Sequence, residues 1–301
     1  MPFSPRPRFI WRLRTSTLPL GERTLVMGIL NVTPDSFSDG GRFLDPDSAV
    51  RQALQMLDEG ADLLDLGGES TRPNAVPLPP AEEQARVLPV LRAILRARPG
   101  TILSIDTHHA ETARLAIDTG AEIVNDVSGH LWDPDMGPTC ADLACGAILM
   151  HTRGRPQEWR TLPALGPAEV LPLVLTGLEQ RANAALNAGI VRESIVLDPG
   201  FGFGKAFDEN FPLLAQFDAL HRLGFPLLAG VSRKGFLRRA VQETNTNPAP
   251  PTADPDSLLT ATTAAHTAAI LAGAHILRVH DVRPAREAAA IADRILDAAK
   301  S

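Results

Sequence analysis

Eight short apolar runs recur along the chain, and this repetition most limits the folds open to it. Each run ends in polar or glycine-rich sequence and is followed by a stretch with helical periodicity. The runs are "TLVMGIL" ending at Leu30, "DLLDLGG" near Leu63, "TILSID" at Thr101, "AEIVND" at Ala121, "GAILMH" at Gly146, "SIVLDPG" at Ser194, "FPLLAGVS" at Phe225 and "HILRVHD" at His275. Strands that are apolar almost throughout are typical of a parallel sheet covered by helices. Eight such units in about 250 residues predict a TIM (β/α)8 barrel, with a doubly wound α/β sheet as the alternative.

The length of the chain is compatible with a single large domain. Its 301 residues allow one large domain or two ordinary ones, and we predict one domain over residues 1–301. Residues 1–20 are expected to form a short N-terminal β-hairpin, around Phe9 to Leu20. The Pro-, Thr- and Asn-rich segment 243–257 is expected to be a flexible insertion before the helix "LLTATTAAHTAAILAGA".

Charge and hydropathy exclude several classes of protein. A formal net charge of −6 disfavours nucleic-acid binding as the main function. No apolar run approaches the roughly 20 residues of a membrane span, and the N-terminal segment lacks the apolar core of a secretory signal. The two cysteines, Cys140 and Cys145, form neither a disulfide framework nor a four-ligand zinc site. We expect buried, reduced thiols in a cytoplasmic protein.

The stretch "IVLDPGFGFGKAF", residues 195–207, looks at first like a phosphate-binding loop. It fails the P-loop pattern because Pro199 stands where the first glycine belongs and Ala206 follows Lys205 in place of Ser or Thr. It fails the dinucleotide pattern because Lys205 replaces the third glycine. Only three of the 29 basic residues are lysines, and Lys205 and Lys234 both stand in glycine-bearing loops. For so few residues, chance is the alternative explanation.

Polar side chains follow most of the predicted strands, where a barrel carries its active site. They are Asn31, Asp65, Asp106, Asn125, Asp126, His151, Asp198, Ser232, Arg233, Lys234, Arg278 and His280. Helix capping is the alternative for each Asp or Asn alone, but it does not account for Lys234, Arg278 and His280.

The residue types in this set indicate what the site binds. Carboxylates and amides suit a flat heterocycle with adjacent N–H donors and acceptors, such as a 2-amino-4-oxopyrimidine ring. Arg278, His280 and the glycine-rich loops suit an anion such as phosphate. The loops "NVTPDSFSDGG" and "GGESTRPNAVPLPP" exceed the usual βα length of about 2–6 residues. We expect them to move and to cover the site, rather than to be plain surface connections.

Eight motifs, taken together, identify a family. They are "MGILNVTPDSFSDGG", "DLGGESTRP", "SIDT", "IVNDVSG", "LMH", "LDPGFGFGK", "GVSRKGF" and "ILRVHDV". In this order and spacing they closely resemble the bacterial dihydropteroate synthases, from about Leu25 to the C-terminal helix. The resemblance implies a TIM barrel that joins p-aminobenzoate to 6-hydroxymethyl-7,8-dihydropterin diphosphate, forming 7,8-dihydropteroate and pyrophosphate. It also implies Mg2+ as cofactor, a homodimer, and sulfonamides as competitors.

The resemblance also assigns roles to individual residues. Pterin binding is implied for Asp106, Asn125, Asp198, Lys234 and Met150. Diphosphate binding is implied for Asn31, Thr71, Arg72, Arg278 and His280, with Mg2+ at Asn31. Binding of p-aminobenzoate is implied for Phe37, Thr71, Arg72, Pro73, Phe203, Lys234 and Gly235. Catalysis is assigned to Asp106, Asp35, Lys234, Arg278 and His280, in a dissociative, SN1-like cleavage of the C–O bond to diphosphate.

Two alternatives and two departures from the family pattern accompany this assignment. A pterin-binding methyltransferase that serves a corrinoid gives no reason for Arg278, His280 and the "STRP" loop. A paralogue that binds pterins without catalysis is the other alternative. The segment around Leu259-Thr260 and the long insertion before it differ from the family, which puts the dimer interface in doubt. The segment "HTRGRPQEWR" is richer in arginine than usual and could alter the rim of the pocket.

Overall fold

The computed structural model describes residues 6–33, 46–69, 78–244 and 255–299, and its core is a barrel of eight parallel strands. The strands are β3 (Leu25–Asn31), β4 (Leu63–Gly67), β5 (Leu103–Asp106), β6 (Ile123–Asp126), β7 (Gly146–Met150), β8 (Ile195–Asp198), β9 (Leu228–Ala229) and β10 (Ile276–Val279). They pair in the order β8-β7-β6-β5-β4-β3-β10-β9. This is the predicted TIM barrel, and all eight predicted strands are present.

The barrel closes between β8 and β9. A parallel bridge joins Leu197 to Leu227, and the Leu197 N–H donates a hydrogen bond to the carbonyl oxygen of Pro226 at 3.0 Å. β9 has only two residues, far fewer than the apolar run from Phe225 to Ser232 suggests. Pro226 has no N–H to donate to a strand ladder, which limits the run at its start.

Nine α-helices lie in the described residues, and at least one follows each barrel strand, in the alternation that the sequence predicts. They are α1 (Pro46–Asp58), α2 (Pro80–Ala97), α3 (Ala110–Thr119), α4 (Met136–Leu143), α5 (Pro167–Asn187), α6 (Asn210–Ala215), α7 (Gly235–Thr244), α8 (Pro255–Leu271) and α9 (Val282–Ala298). α7 and α8 both fall between β9 and β10, so that connection has one more helix than the others. None of the described helices is both long enough and apolar enough to span a membrane.

The ends of the predicted insertion are helical. α7 continues to Thr244 and α8 begins at Pro255, so only residues 245–254 of the segment 243–257 remain, and these lie outside the described residues.

The N-terminal hairpin covers the end of the barrel where the strands begin. β1 (Phe9–Arg12) and β2 (Thr17–Leu20) pair antiparallel, as predicted. Trp11 is fully buried, and its Nε1 donates to the carbonyl oxygen of Ser194 at 2.9 Å. It belongs to a core cluster made of Trp11, Leu13, Leu20, Leu25, Met27, Leu63, Ile123, Ile148, Val196, Leu228 and Ile276.

The same strands place polar side chains at the other end of the barrel. Successive residues of a strand point to opposite faces, so residues two apart share a face. Asp65 follows Leu63, Asn125 follows Ile123 and Arg278 follows Ile276 by two positions, and Asp198 follows Val196 in the same way. The barrel interior is therefore apolar near the hairpin and polar at the carboxyl ends of the strands.

Candidate active site

One guanidinium joins two carboxylates at the carboxyl end of the barrel. Arg278 Nε donates to Asp65 Oδ2 and Arg278 Nη2 donates to Asp106 Oδ2, each at 2.6 Å. Asn125 Nδ2 donates to the same Asp65 oxygen at 2.8 Å. We call these four residues, Asp65, Asp106, Asn125 and Arg278, the polar floor.

Burial and neighbouring charges together shift the pKa values of Asp106 and Arg278 in the polar floor. It raises the pKa of Asp106 to about 7; the Arg278 guanidinium opposes this shift and the Asp65 carboxylate adds to it. For Arg278 burial lowers the pKa, but Asp65 and Asp106 outweigh it and raise the pKa above the ordinary value. The guanidinium is therefore charged at every accessible pH, whereas Asp106 changes its charge near neutrality.

The polar floor has one acceptor atom to spare. Asp65 is fully buried, and its Oδ1 has no hydrogen-bond partner among the described residues. A buried acceptor without a partner is costly and rare in native structures. An N–H donor on a bound ligand is the kind of group that such an oxygen accepts.

Asp198 lies beside the polar floor at the end of β8. Its side chain is buried, and Oδ1 accepts a hydrogen bond from the Gly200 N–H at 2.7 Å. Burial raises its pKa, although the bond from Gly200 and the charge of Lys234 lower it in part. The carboxylate is thus held by its own loop with its second oxygen, Oδ2, left for another donor.

Capping explains some of the strand-end residues but not the polar floor. Asp126 accepts hydrogen bonds from the backbone N–H groups of Ser128 and His130 at 2.7 and 2.9 Å, so it stabilises its own turn. Arg233 forms an ion pair with Asp281 at the rim. Arg278 instead joins the side chains of Asp65 and Asp106, and Asn125 donates to Asp65.

The glycine-rich loop after β8 packs directly on the backbone after β7. Gly200 has φ +68°, and a Cβ placed there would lie 2.0 Å from the carbonyl oxygen of His151. Lys205 Nζ donates to the carbonyl oxygens of Gly200 at 2.7 Å, Phe203 at 3.2 Å and His151 at 3.4 Å. The lysine of "GFGK" therefore binds backbone oxygens of this chain. This differs from the lysine of a nucleotide-binding loop, which binds phosphate.

Phe203 and Lys234 form one wall of the site. Lys234 Nζ lies 4.0 Å from the centre of the Phe203 ring, a cation–π contact. Phe203 meets Trp159 edge to face with the ring centres 5.4 Å apart, and it packs in a small cluster with Val127 and Met150. Burial, together with the neighbouring positive charge of Arg278, lowers the pKa of Lys234 to about 8.

His280 directly follows β10 and contacts Ser232 through both its backbone and its ring. The backbone N–H of His280 donates to Ser232 Oγ at 3.1 Å, and the same Oγ lies 3.0 Å from His280 Nδ1. When the hydroxyl donates to Nδ1, the ring proton lies on Nε2. Burial, helped by Arg278, lowers the pKa of His280 to about 3. His280 thus contributes a neutral imidazole to the corner that the sequence predicts to be cationic.

The structure describes ten of the fifteen residues that the sequence assigns to the site. Asn31 ends β3, opposite Gly67 of β4, and Gly235 begins α7. The rest of the described set is Asp106, Asn125, Met150, Asp198, Phe203, Lys234, Arg278 and His280. The predictions for Asp35, Phe37, Thr71, Arg72 and Pro73 lie outside the described residues.

Three residues whose side chains hold the site together were not assigned a role from the sequence. Asp65 joins Asn125 to Arg278, Ser232 orients His280, and Lys205 holds the loop of Gly200 and Phe203. Asp65 carried a usable signal, since an aspartate in the middle of an apolar strand shares the inner face with its neighbour two positions away. The contacts of Ser232 and Lys205 depend on the folded backbone and leave no such pattern.

Comparison with known proteins agrees with the site. Residues 27–280 match the family model described as "Pterin binding enzyme". The dihydropteroate synthase of Synechocystis is 41% identical over 275 residues, which cover 91% of each protein.

Two solved structures superpose over nearly the whole chain. A Xanthomonas albilineans dihydropteroate synthase with 4-aminobenzoic acid is 39% identical at a TM-score of 0.84, covering 96% of this chain and 98% of the other. The Burkholderia cenocepacia enzyme complexed with 7,8-dihydropteroate is 38% identical at a TM-score of 0.81, covering 97% and 98%. The barrel, the motifs and these relatives together show that the chain belongs to the dihydropteroate synthase family, whose members are transferases of folate synthesis.

Proposed function

We propose that the chain joins p-aminobenzoate to 6-hydroxymethyl-7,8-dihydropterin diphosphate by a dissociative reaction on the polar floor. The observation that carries this proposal is the Arg278 bridge, which joins the buried carboxylate of Asp65 to the partly exposed carboxylate of Asp106, beside the buried amide of Asn125. Such a set offers acceptors to the N–H groups of a pterin ring and keeps a cation in reach of a departing anion.

The ring is bound by residues that share the inner face of the strands. Asp106, Asn125 and Asp198 accept or exchange hydrogen bonds with the 2-amino-4-oxopyrimidine edge, and Lys234 donates to a ring acceptor. Met150, buried at the end of β7, packs against the ring. The spare Oδ1 of Asp65 adds one more acceptor beneath it.

Cleavage of the C–O bond to diphosphate is the difficult step. p-Aminobenzoate is an aniline that is already unprotonated at neutral pH, so no strong base is required to prepare the nucleophile. Positive charge develops on the pterin methylene and is stabilised by Asp106, with Asp35 as a second carboxylate. Exclusion of water protects this cation until the amine attacks.

The diphosphate leaves toward Arg278 and His280. A guanidinium has five N–H donors, and Nε and Nη2 of Arg278 are engaged with the polar floor. Nη1 makes no hydrogen bond to the residues that the structure describes, and we assign it to a phosphate oxygen. His280 donates from Nε2. Thr71 and Arg72 complete this corner in our proposal.

Mg2+ fits this corner by the chemistry of the donors. Asn31 offers an amide oxygen at the end of β3, and a hard cation with one or two protein oxygens and substrate phosphates is the usual mode of Mg2+ binding. When bound, Mg2+ supplies positive charge against the diphosphate. Asn31 is the residue that would hold it.

The second substrate is assigned to the wall formed by Phe203 and Lys234. The aromatic ring of p-aminobenzoate packs against Phe203, and the segment of Lys234 and Gly235 faces its carboxylate. Phe37, Thr71, Arg72 and Pro73 supply the rest of this pocket in our proposal. Sulfonamides are expected to compete for it.

We further propose that the protein acts as a homodimer. Ile291 and Ile295 lie four residues apart on one face of α9 and are 62% and 37% exposed, which suits a contact with a second copy. Light scattering of wild type and of Ile291→Glu tests this assembly; a dimer that persists unchanged in the variant removes α9 from the interface. A cytoplasmic location remains a prediction from the sequence.

One assay tests the reaction and separates the alternatives. The purified protein is incubated with Mg2+, the pterin diphosphate and labelled p-aminobenzoate, and labelled dihydropteroate is measured with pyrophosphate. The proposal predicts both products in equal amounts. Retained pterin binding without product would instead identify a silent paralogue.

Arg278→Lys keeps one charge but loses the fork that bridges two carboxylates, and it should lower kcat/KM by about 100-fold.

A further inference from the structure

A second cluster of ligand-type side chains lies outside the polar floor. Glu69 follows the end of β4 by two residues, and His108 and His109 follow the end of β5 by two and three residues. One donor atom from each of the three lies within 4.8 Å of the others, and His108 Nδ1 is 3.7 Å from Glu69 Oε2. The condensation described above uses none of the three.

We propose that Glu69, His108 and His109 bind one divalent metal ion of the zinc class. Two imidazoles and a carboxylate are ligands that suit Zn2+, whereas Mg2+ prefers oxygen alone. Metal–ligand bonds of about 2.1 Å in a tetrahedral site separate neighbouring donors by about 3.4 Å. The separation between His108 and Glu69 is close to this value before any metal has drawn the ligands together.

The imidazole of His109 is already oriented by a buried carboxylate. His109 Nδ1 lies 3.0 Å from Glu83 Oε2, and Glu83 is fully buried in α2. The same oxygen accepts a hydrogen bond from Thr107 Oγ1 at 2.9 Å. Metal-binding histidines typically donate their other ring N–H to a carboxylate in this way, and the arrangement leaves Nε2 of His109 to bind the metal.

Glu69 carries an acceptor that nothing among the described residues satisfies. Its Oε1 accepts the Leu78 N–H at 3.2 Å, while Oε2 is buried and has no hydrogen-bond partner there. Oε2 is also the oxygen that faces His108. A metal ion held between the two side chains would satisfy this oxygen.

The position of the cluster suggests what a bound metal would do. It would join the segment after β4 to the segment between β5 and α3, two residues beyond Asp106. Three protein ligands leave a fourth position for water or another donor. Binding to the folded state alone would stabilise the protein in proportion to metal concentration.

Metal titration without substrates tests this site independently of the condensation. The metal-free protein is titrated with Zn2+ by calorimetry and with Co2+ by visible absorption. We expect one ion per chain, a tetrahedral Co2+ spectrum that excess Mg2+ does not abolish, and a higher Tm with Zn2+. No binding near one equivalent, or loss of the Co2+ spectrum to Mg2+, would overturn the proposal.

Two variants and one control test two of the three ligands. His108→Gln and Glu69→Gln should each weaken Zn2+ binding by at least about tenfold, with a circular dichroism spectrum like that of wild type. His221→Gln, which removes an imidazole outside the cluster, should bind Zn2+ as wild type does. Equal affinity in all three variants and wild type would show that the ion binds elsewhere. The two cluster variants act as checks on each other if one of them folds poorly.

Discussion

At the scale of single residues, the ionisation of Asp106 decides how the polar floor works. Its carboxylate accepts from Arg278 and lies where we propose that positive charge develops. An interaction made mainly in the transition state affects kcat rather than substrate binding.

Asp106→Asn should therefore lower kcat by about 100- to 1,000-fold, while the Kd for the dihydropterin changes by less than about tenfold. Steady-state kinetics and calorimetric titration give the two values. Asp142→Asn, at a position with a 71% exposed side chain, is the matched control and should leave both unchanged. Equal losses of kcat and affinity in Asp106→Asn would contradict a transition-state role.

The pH dependence of kcat/KM should report the ionisation of Asp106. An acid is ionised above its pKa, so the active form of Asp106 increases as pH rises through about 7. A base is charged below its pKa, so the charged form of Lys234 declines as pH rises through about 8. We expect a maximum between these values, and Asp106→Asn should abolish the rise on the acid side. A rise that persists in this variant would assign it to another group.

Lys205 has a structural role that its position in a glycine loop conceals. Lys205→Met should leave the carbonyl oxygen of His151 without a donor and remove one of two donors from the carbonyl oxygens of Gly200 and Phe203. A buried acceptor that loses its partner costs about 1–3 kcal/mol, so we expect a loss of about 1–3 kcal/mol in unfolding free energy. Urea denaturation measures it. A variant as stable as wild type would show that water replaces the ammonium group.

At the scale of elements, the loop after β8 holds both Asp198 and Phe203. Gly200 bonds Asp198 through its N–H and approaches His151 too closely for any side chain. The geometry of this loop thus sets the direction of a carboxylate on one side and of an aromatic ring on the other.

Gly200→Ala and Gly100→Ala separate steric overlap from backbone strain. Both glycines have positive φ, +68° and +83°, but a Cβ at Gly100 meets nothing within 4 Å. Strain alone costs about 1–2 kcal/mol, which we expect for Gly100→Ala with normal kcat/KM. Gly200→Ala should lose more stability than this and at least about tenfold in kcat/KM, because a shift of the loop displaces catalytic groups. Similar values for the two variants would contradict the close packing on His151.

The elements themselves could be predicted from the sequence more fully than their contacts. The apolar runs predicted all eight barrel strands, because strand and helix periodicity is local. Hydropathy did not predict that β9 is only two residues long. Arg278 and Asp65 are 213 residues apart, and their ion pair exists only because the barrel closes.

At the scale of the whole molecule, the barrel has an apolar end and a polar end. The hairpin packs Trp11 into the apolar end, and the polar floor occupies the other. In this fold the site lies at the carboxyl ends of the strands, so it is separate from the hairpin packing at their amino ends.

Trp11→Ala should therefore destabilise the fold without changing the chemistry. Large-to-small changes of a buried tryptophan cost about 3–5 kcal/mol, and the hydrogen bond to Ser194 is lost as well. Ile10→Ala is the control, since Ile10 is 58% exposed and should cost at most about 0.5 kcal/mol. Denaturation and kcat are measured for both, and a large loss of kcat in folded Trp11→Ala would show that the two ends are coupled.

The central claim is that the polar floor, Asp198 and Lys234 hold the pterin ring at the carboxyl end of the barrel. A crystal structure of this chain with 7,8-dihydropteroate tests it most directly. The account predicts the pterin within hydrogen-bonding distance of Asp106, Asn125, Asp198 and Lys234. A pterin bound elsewhere, with these four side chains untouched, would contradict it.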